Sequence, residues 1–264
     1  MACRLQGQVI LNTRPQHQQG ELTRMLQQDG ARVLGFPVID IELNQDPQQQ
    51  AWLAQTVADR DMLLFVSRNA VDGAFAMIEP GQLAPGTRFG VIGSATRQAL
   101  ATALAGSAFD IDACLVAGEP FNSETLLESA ALHEVAGRRI LILRGQQGRN
   151  LLGDELARCG AEVEYAEVYQ RRLPVLPAAA FGELVAGQFP SLVVLTSAEG
   201  MHNLMRLVDA DSARALLRTP WLLISERMRE SALKLGHNAA ILIARNASDS
   251  GIRQTICAWA DRQQ

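Results

Sequence analysis

Two stretches of this chain can be laid on one another at a fixed spacing. ILNTRPQHQQGELTRMLQQDGARV (10–33) matches ILRGQQGRNLLGDELARCGAEV (142–163) when Arg14 is placed on Arg144. Leu26, Gly30, Ala31 and Val33 then meet Leu156, Gly160, Ala161 and Val163, each 130 residues on (144 − 14). LLFVSRNAV (63–71) and VVLTSAEGM (193–201) recur at the same spacing (197 − 67), bringing Ser67 onto Ser197. GVIGSATRQAL (90–100) and LLISERMRESA (222–232) follow at 132 (225 − 93), with Gly93 opposite Ser225. Three matches in order identify an internal duplication. Solenoid repeats run roughly 20–50 residues, so a period this long marks a duplicated domain. A chain of 264 residues holds two domains comfortably.

Within each half, short apolar runs alternate with helical patterns. The runs at 8–12, 32–42, 62–66, 88–92 and 112–116 predict strands in the first half. Those at 139–143, 162–172, 191–195, 221–224 and 239–243 predict strands in the second. Between them, segments such as GELTRMLQQDG carry leucines at helical spacing and close on glycine. Strands alternating with helices imply parallel sheets covered on both faces. About five such units per half suit an α/β fold of two flavodoxin-like, doubly wound domains. GFPVIDIELNQDPQQQ (35–50) and EYAEVYQRRLPVLPAAA (164–180) break the rhythm at equivalent places in the two copies. Either they cross between two discontinuous domains, or the domains are consecutive; the residues are compatible with both.

Composition narrows the function. A formal net charge of −4 offers no footprint for nucleic acid or an anionic membrane. The opening MACRLQGQVILNT has only a three-residue apolar run and predicts no signal peptide, and no stretch approaches the roughly 20 apolar residues of a membrane span. Cys3, Cys114, Cys159 and Cys257 are scattered, which excludes short-spacing zinc and redox motifs. They are expected to be buried, inert, reduced thiols in a cytoplasm. The four histidines form no cluster, so metal chemistry is not expected.

In open α/β sheets, ligands bind beyond the carboxyl ends of the strands. Those positions here hold Asn12-Thr13-Arg14, Ser67-Arg68-Asn69, Gly93-Ser94, Arg144-Gly145, Thr196-Ser197, Ser225-Glu226 and Arg245. Hydroxyls, glycines and arginines dominate, with Glu226 the one carboxylate among them. Backbone N–H groups at helix starts suit carboxylate or phosphate oxygens. Ser67, Ser94, Ser197 and Ser225 are equally well placed as helix N-caps, each stabilising by about 1 kcal/mol. GxSxG, GxGxxG and GxxxxGK[ST] are all absent, which removes a nucleophilic serine and the usual nucleotide loops. The only tyrosines, Tyr165 and Tyr169, both fall in the second extended segment.

These residues together resemble the uroporphyrinogen-III synthase family of tetrapyrrole biosynthesis. The matching pieces are TRP (13–15) with GELTRMLQQDGARV, FPVIDIE, FVSRNAV, VIGSATRQAL, NSETLL (122–127), ILILRG with GAEVEYAEVYQR, and TSAEG. They run through nearly the whole chain in order. The resemblance implies two flavodoxin-like domains, 1–36 with 174–264 and an inserted 44–166, joined by linker strands 37–43 and 167–173, with an active site in the cleft. It implies cyclisation of hydroxymethylbilane to uroporphyrinogen III, with loss of water and inversion of the terminal pyrrole, on the way to haem. Neither metal nor organic cofactor is implied. The acetate and propionate groups of the substrate would be held by the strand-end set, with Thr96 of GSAT and Ser123 of NSETLL added. Tyr169 would hydrogen-bond the departing hydroxyl. A cytoplasmic monomer, taking its substrate in a transient hand-over from hydroxymethylbilane synthase, is expected.

Two positions depart from the pattern. Met228 stands where the second copy of GSAT would place a threonine, leaving Ser225 as the hydroxyl there. TSAEG lacks the Asn and Val of its counterpart, so Ser197 carries over better than Glu199. Two other readings compete. A non-catalytic two-domain protein could clasp an anionic metabolite or a tetrapyrrole, and a regulatory descendant could keep the fold and lose the strand-end set. Retention of Arg14, Ser67, Thr96, Tyr169 and Ser197 argues against the second.

Overall fold

Apolar runs of three or four residues, buried on both faces, are what a parallel sheet between two helical layers requires. The computed structural model describes residues 3–118, 121–146, 148–246 and 248–263; Met1 and Ala2, which open the stretch read above for a leader, lie outside them. The chain opens with β1 (Val9–Asn12), α1 (Gln16–Gln28), β2 (Arg32–Gly35) and β3 (Asp40–Leu43). It continues through α2 (Pro47–Val57), β4 (Met62–Phe65), α3 (Arg68–Phe75), β5 (Arg88–Val91) and α4 (Ser94–Ala103). Next come β6 (Leu115–Val116), α5 (Ser123–Leu127), β7 (Arg139–Gly145), α6 (Leu151–Arg158) and β8 (Glu162–Arg172). The last part holds α7 (Ala180–Val185), β9 (Leu192–Val194), α8 (Ala198–Leu207) and α9 (Ala210–Leu216). It ends with β10 (Trp221–Leu223), α10 (Glu226–Lys234), β11 (Ile241–Ile243) and α11 (Asp249–Ala260).

The chain divides into a terminal unit, Met1–Asp40 with Arg172–Gln264, and a central unit, Ile41–Arg171. The terminal sheet has the order β11-β10-β9-β1-β2, and the central sheet β3-β8-β7-β4-β5-β6. The first copy of the repeat supplies β1, β2, β4, β5 and β6, and the second supplies β7 to β11. Counted within the copies, each sheet carries a 2-1-3-4-5 order, that of the flavodoxin fold. Each sheet takes its first two strands from one copy and its last three from the other. The protein is thus an α/β protein with two doubly wound parallel sheets built by exchange between the halves of a duplication.

Alternation along the central strands loads both faces of the sheet. Leu63 and Phe65 of β4 join Leu141 and Leu143 of β7 in one core, with Val71 and Ala74 of α3. Met62 and Leu64 join Ile140 and Ile142 in the other, beneath Leu126, Leu152 and Leu156. In the terminal unit, Ile10, Val194 and Leu222 pack against Leu22 and Leu26 of α1 and Ile252 and Ile256 of α11.

The sequence expectation fails at two points here. The single strand expected over 32–42 is two, β2 and β3, which belong to different sheets. Pro37 has no N–H to continue the ladder, and the chain leaves β1 through Phe36 N–H to Asn12 O and Val38 N–H to Thr13 O. The expectation of four reduced thiols is also overturned. Cys3 and Cys257 form a disulfide, tying the N-terminal segment to α11 across 254 residues of sequence. Cys114 does fit a buried thiol, with burial pushing it up to about 11, whereas Cys159 is exposed.

His237 gives the terminal unit a pH dependence. It is buried, its ring lies 4.3 Å from that of Trp221, and Nε2 sits 3.0 Å from the Thr219 carbonyl oxygen. Burial lowers its pKa from the ordinary 6.5. The unfolded chain therefore binds the proton first, and stability contributed by the neutral ring falls as pH drops below 6.5. Urea denaturation between pH 7.5 and 5 should show a loss of stability that His237→Phe reduces; equal slopes for both proteins would refute this.

Candidate active site

Ser67 follows β4 in extended conformation, and its Oγ accepts the Ala70 N–H of α3 at 3.2 Å, an N-cap. The same Oγ lies 3.1 Å from the hydroxyl of Tyr169 on β8, 102 residues later. The meeting depends on a bulge. β7 and β8 pair regularly from Ile142↔Tyr165 to Arg144↔Glu167, after which Gly145 faces Tyr169 and Val168 is left over. Strict alternation would put Tyr169 on the opposite face from Val168. The extra residue turns it to the same face, so Ala166, Val168 and Tyr169 share one core with α3. Tyr169 is 4% exposed. Two glycines make room for this part of β8. A Cβ on Gly145 would stand 2.6 Å from the ring's Cζ, and one on Gly73 of α3 would stand 2.5 Å from the Val168 carbonyl oxygen.

The other central residues line up along the same carboxyl ends. Arg68, the first residue of α3, is exposed and lies 3.5 Å from Asp72, while Asn69 beside it is buried. Gly93, at φ 88°, occupies the N-cap position of α4, so Ser94 is the exposed first helical residue and not the cap expected for it. Thr96 is buried and its Oγ1 donates to the Ile92 carbonyl at 2.7 Å, which gives it a structural task in this arrangement. Ser123 opens α5, whose cap is Asn122 in a reciprocal box with Thr125. Arg144 holds the loop after β7. Its Nη1 donates to Asn150 Oδ1 at 2.8 Å and Gly148 O at 3.2 Å, Nη2 reaches Glu167 at 3.3 Å, and the guanidinium lies 3.9 Å over the Tyr165 ring. Tyr165 is on the other face from Tyr169 and donates to Asn150 O at 3.1 Å; burial raises its pKa.

The terminal unit repeats the design. Ser197 and Ser225 follow β9 and β10 and cap α8 and α10, accepting Gly200 N–H at 2.9 Å and Met228 N–H at 3.3 Å. Met228 is buried behind that cap. Arg14, after β1, is mostly buried and ion-paired with Asp249 in the first turn of α11. Its charge is therefore neutralised in place, a pairing 235 residues long that no local pattern announces.

Tyr169 also borders a polar cavity of about 530 Å³, with Glu42, Asp46 and Glu167 among its walls. Three carboxylates make that cavity a poor seat for an anion. A larger one, of about 870 Å³, lies at the amino end of β5 around Gly86, Arg88 and Phe109, away from the strand carboxyl ends. Among the described residues, Cys3, Asp29 and Cys257 have the spacing of metal ligands, but the two sulfurs are bonded to one another and Asp29 is held bidentately by Arg253 at 2.6 and 2.7 Å. Among the described residues no helix is long and apolar enough to cross a membrane. Sequence reasoning missed Gly73, Asn122, Asp249 and the half-exposed Phe121. Only Asn122, followed three residues on by Thr125, carried a readable signal, that of a capping box.

Two flavodoxin-type sheets whose strand ends present hydroxyls and helix N-termini define a two-unit, doubly wound α/β protein. Residues 20–253 match the family described as "Uroporphyrinogen-III synthase HemD". The chain is 32% identical to the uroporphyrinogen-III synthase of Salmonella typhimurium over 250 residues, 94% of this chain and 99% of that one. Against the Escherichia coli uroporphyrinogen-III synthase it is 32% identical over 255 residues, with the same coverage. The chain belongs to the uroporphyrinogen-III synthase family. Its fold is also that of two solved structures. A mutant uroporphyrinogen III synthase from the extremely thermophilic bacterium Thermus thermophilus aligns with TM-score 0.58 at 15% identity, over 98% of this chain and 100% of that one. The Helicobacter pylori 26695 synthetase aligns at 0.52 and 14%, over 96% and 99%.

Proposed function

We propose that this protein converts hydroxymethylbilane to uroporphyrinogen III, with loss of water and inversion of the terminal pyrrole, in haem biosynthesis. What carries the reading is the hydrogen-bonded run from Tyr169 through Ser67 to the start of α3, inside a set of strand-end donors. Ser67 Oγ accepts the Ala70 N–H, and of the two hydroxyls able to donate in the contact between Ser67 and Tyr169 we assign the donor to Ser67. The Tyr169 O–H is then available to donate to the departing hydroxyl. The C–O bond of the hydroxymethyl group breaks as the adjacent pyrrole gives up its N–H proton. Water leaves, and an azafulvene remains. The far terminal ring attacks the azafulvene methylene through its substituted carbon; that carbon's bond to its own methylene bridge then breaks, and the bridge rejoins at the ring's free carbon, which loses its proton. This inverting route competes with direct closure through the free carbon, and orientation decides the outcome.

Within the central unit, Ser67, Arg68, Asn69, Ser94 and the backbone at Gly93 meet substrate carboxylates, joined by Ser123 through its hydroxyl. Arg144 serves by holding the loop that faces Tyr169. Ser197 and Ser225 perform the same task in the terminal unit. A substrate that closes unaided must be made close by, which favours a cytoplasmic location and transient hand-over from the enzyme that makes it. We assign a monomer, to be checked by light scattering.

The test is incubation with freshly generated hydroxymethylbilane, oxidation, and chromatographic resolution of the porphyrin isomers. Predominantly isomer III supports the reading; an unchanged excess of isomer I overturns it. General-acid catalysis supplies about 10²–10⁴-fold. The Tyr169 hydroxyl assists by hydrogen bonding and does not transfer its proton fully, so Tyr169→Phe is expected to slow turnover by about 10-fold, less than full general-acid catalysis would supply. Full rate and an unaltered isomer ratio in that variant would remove Tyr169 from the mechanism.

A further inference from the structure

Phe121 is the only non-glycine residue at positive φ among the described residues, at 49°. Glycine or asparagine takes that conformation without strain; a phenylalanine does not. The residue is nevertheless 40% exposed. The local fold has little use for it. Residue 121 precedes the N-cap Asn122, where an apolar side chain often packs on the fourth helical residue. That residue, Leu126, is buried in the core with Leu64 and Ile142, whereas Phe121 is exposed. The strained backbone is fixed by Phe121 N–H to Gly118 O at 2.6 Å and by the Asn122–Thr125 box. A strained residue thus displays an aromatic side chain that the core does not take up. Strain retained in this way clusters at functional positions.

Its position gives the ring a target. The Phe121 Cβ stands 3.9 Å from where a Cβ on Gly93 would be, so the side chain belongs to the carboxyl-end face of the central sheet with Gly93 and Ser94. Every other group in that set presents hydrogen-bond donors, which meet the carboxylate rim of a tetrapyrrole. The flat apolar faces of its pyrroles have no counterpart among them. Aromatic rings satisfy each other by offset or edge-to-face packing.

We propose that Phe121 packs against a pyrrole face of the substrate and helps select the inverted closure. The proposal rests on the synthase reading above. Phe121→Gly separates this role from a structural one, because glycine relieves the backbone strain. It is expected to leave the melting temperature unchanged or raised, to raise KM for hydroxymethylbilane about 5–30-fold, the effect of one to two kcal/mol, and to enlarge the isomer I fraction. Phe121→Tyr should restore KM and the isomer ratio. Wild-type KM and isomer ratio in Phe121→Gly would overturn the proposal while leaving the synthase reading intact. A melting temperature that falls with activity would assign the ring to the fold and overturn it too. Failure of the unaltered protein to form isomer III would remove both.

Discussion

Replacing Gly145 by alanine is expected to lower isomer III formation about 10-fold, the loss expected of Tyr169→Phe, because it acts through the same hydroxyl. The new methyl carbon would stand 2.6 Å from Cζ and 2.7 Å from Cε2 of Tyr169. That ring is almost wholly buried beside Val168 and α3, so it cannot slide along a surface to make room. It must leave the position opposite Gly145, and its hydroxyl then loses Ser67. The overpacked core should also cost about 1–3 kcal/mol in denaturant melts. The rate loss belongs to Tyr169, so Gly145→Ala in a Tyr169→Phe background should add much less than it does alone. Undiminished isomer III formation by the single variant would show that the bulge does not set the chemistry.

Opening the Cys3–Cys257 bond is expected to destabilise the terminal unit by about 2–4 kcal/mol. The bond joins positions 254 residues apart and so removes a long loop from the unfolded ensemble. When the central unit stays folded its two crossings are already held, and the effective loop is shorter than the sequence suggests. Thermal unfolding with and without reductant, and of Cys257→Ser, measures the effect; the variant should be insensitive to reductant. Thiol titration of the folded, oxidised protein should find Cys159 reactive. Cys114 should be protected by burial and by a thiol pushed up to about 11. Reactive Cys3 or Cys257 in that titration would refute the pairing.

Much of the site was legible because capping is local. Ser67, Ser197 and Ser225 each follow an apolar run and precede a helical pattern, and each accepts the N–H three residues on. Ser94 failed by one position, because Gly93 takes the cap at a φ open to glycine. Thr96 looked like a donor to ligand, yet at the first turn of α4 its hydroxyl reaches the Ile92 carbonyl instead. Arg14 and Arg144 were recognisable as more than solvent-facing charges. What they touch was not, since Asp249 and the loop after β7 come to them only through the fold. Phe121 gave no signal, because exposure and backbone strain are not properties of residue type.

The sequence by itself determined the alternation of strands and helices, the doubling, and the hydroxyl-rich strand ends. All three follow from side-chain periodicity and from contacts within a turn or two of the chain. Tertiary structure alone decided which halves of the copies share a sheet, which face Tyr169 takes, and that Cys3 meets Cys257. Those outcomes depend on strand register and on closure of distant chain segments. One surplus residue in β8 reverses a side chain without altering any local pattern, and a spacing of 130 residues (144 − 14) fits an exchanged pair of sheets as well as an unexchanged one.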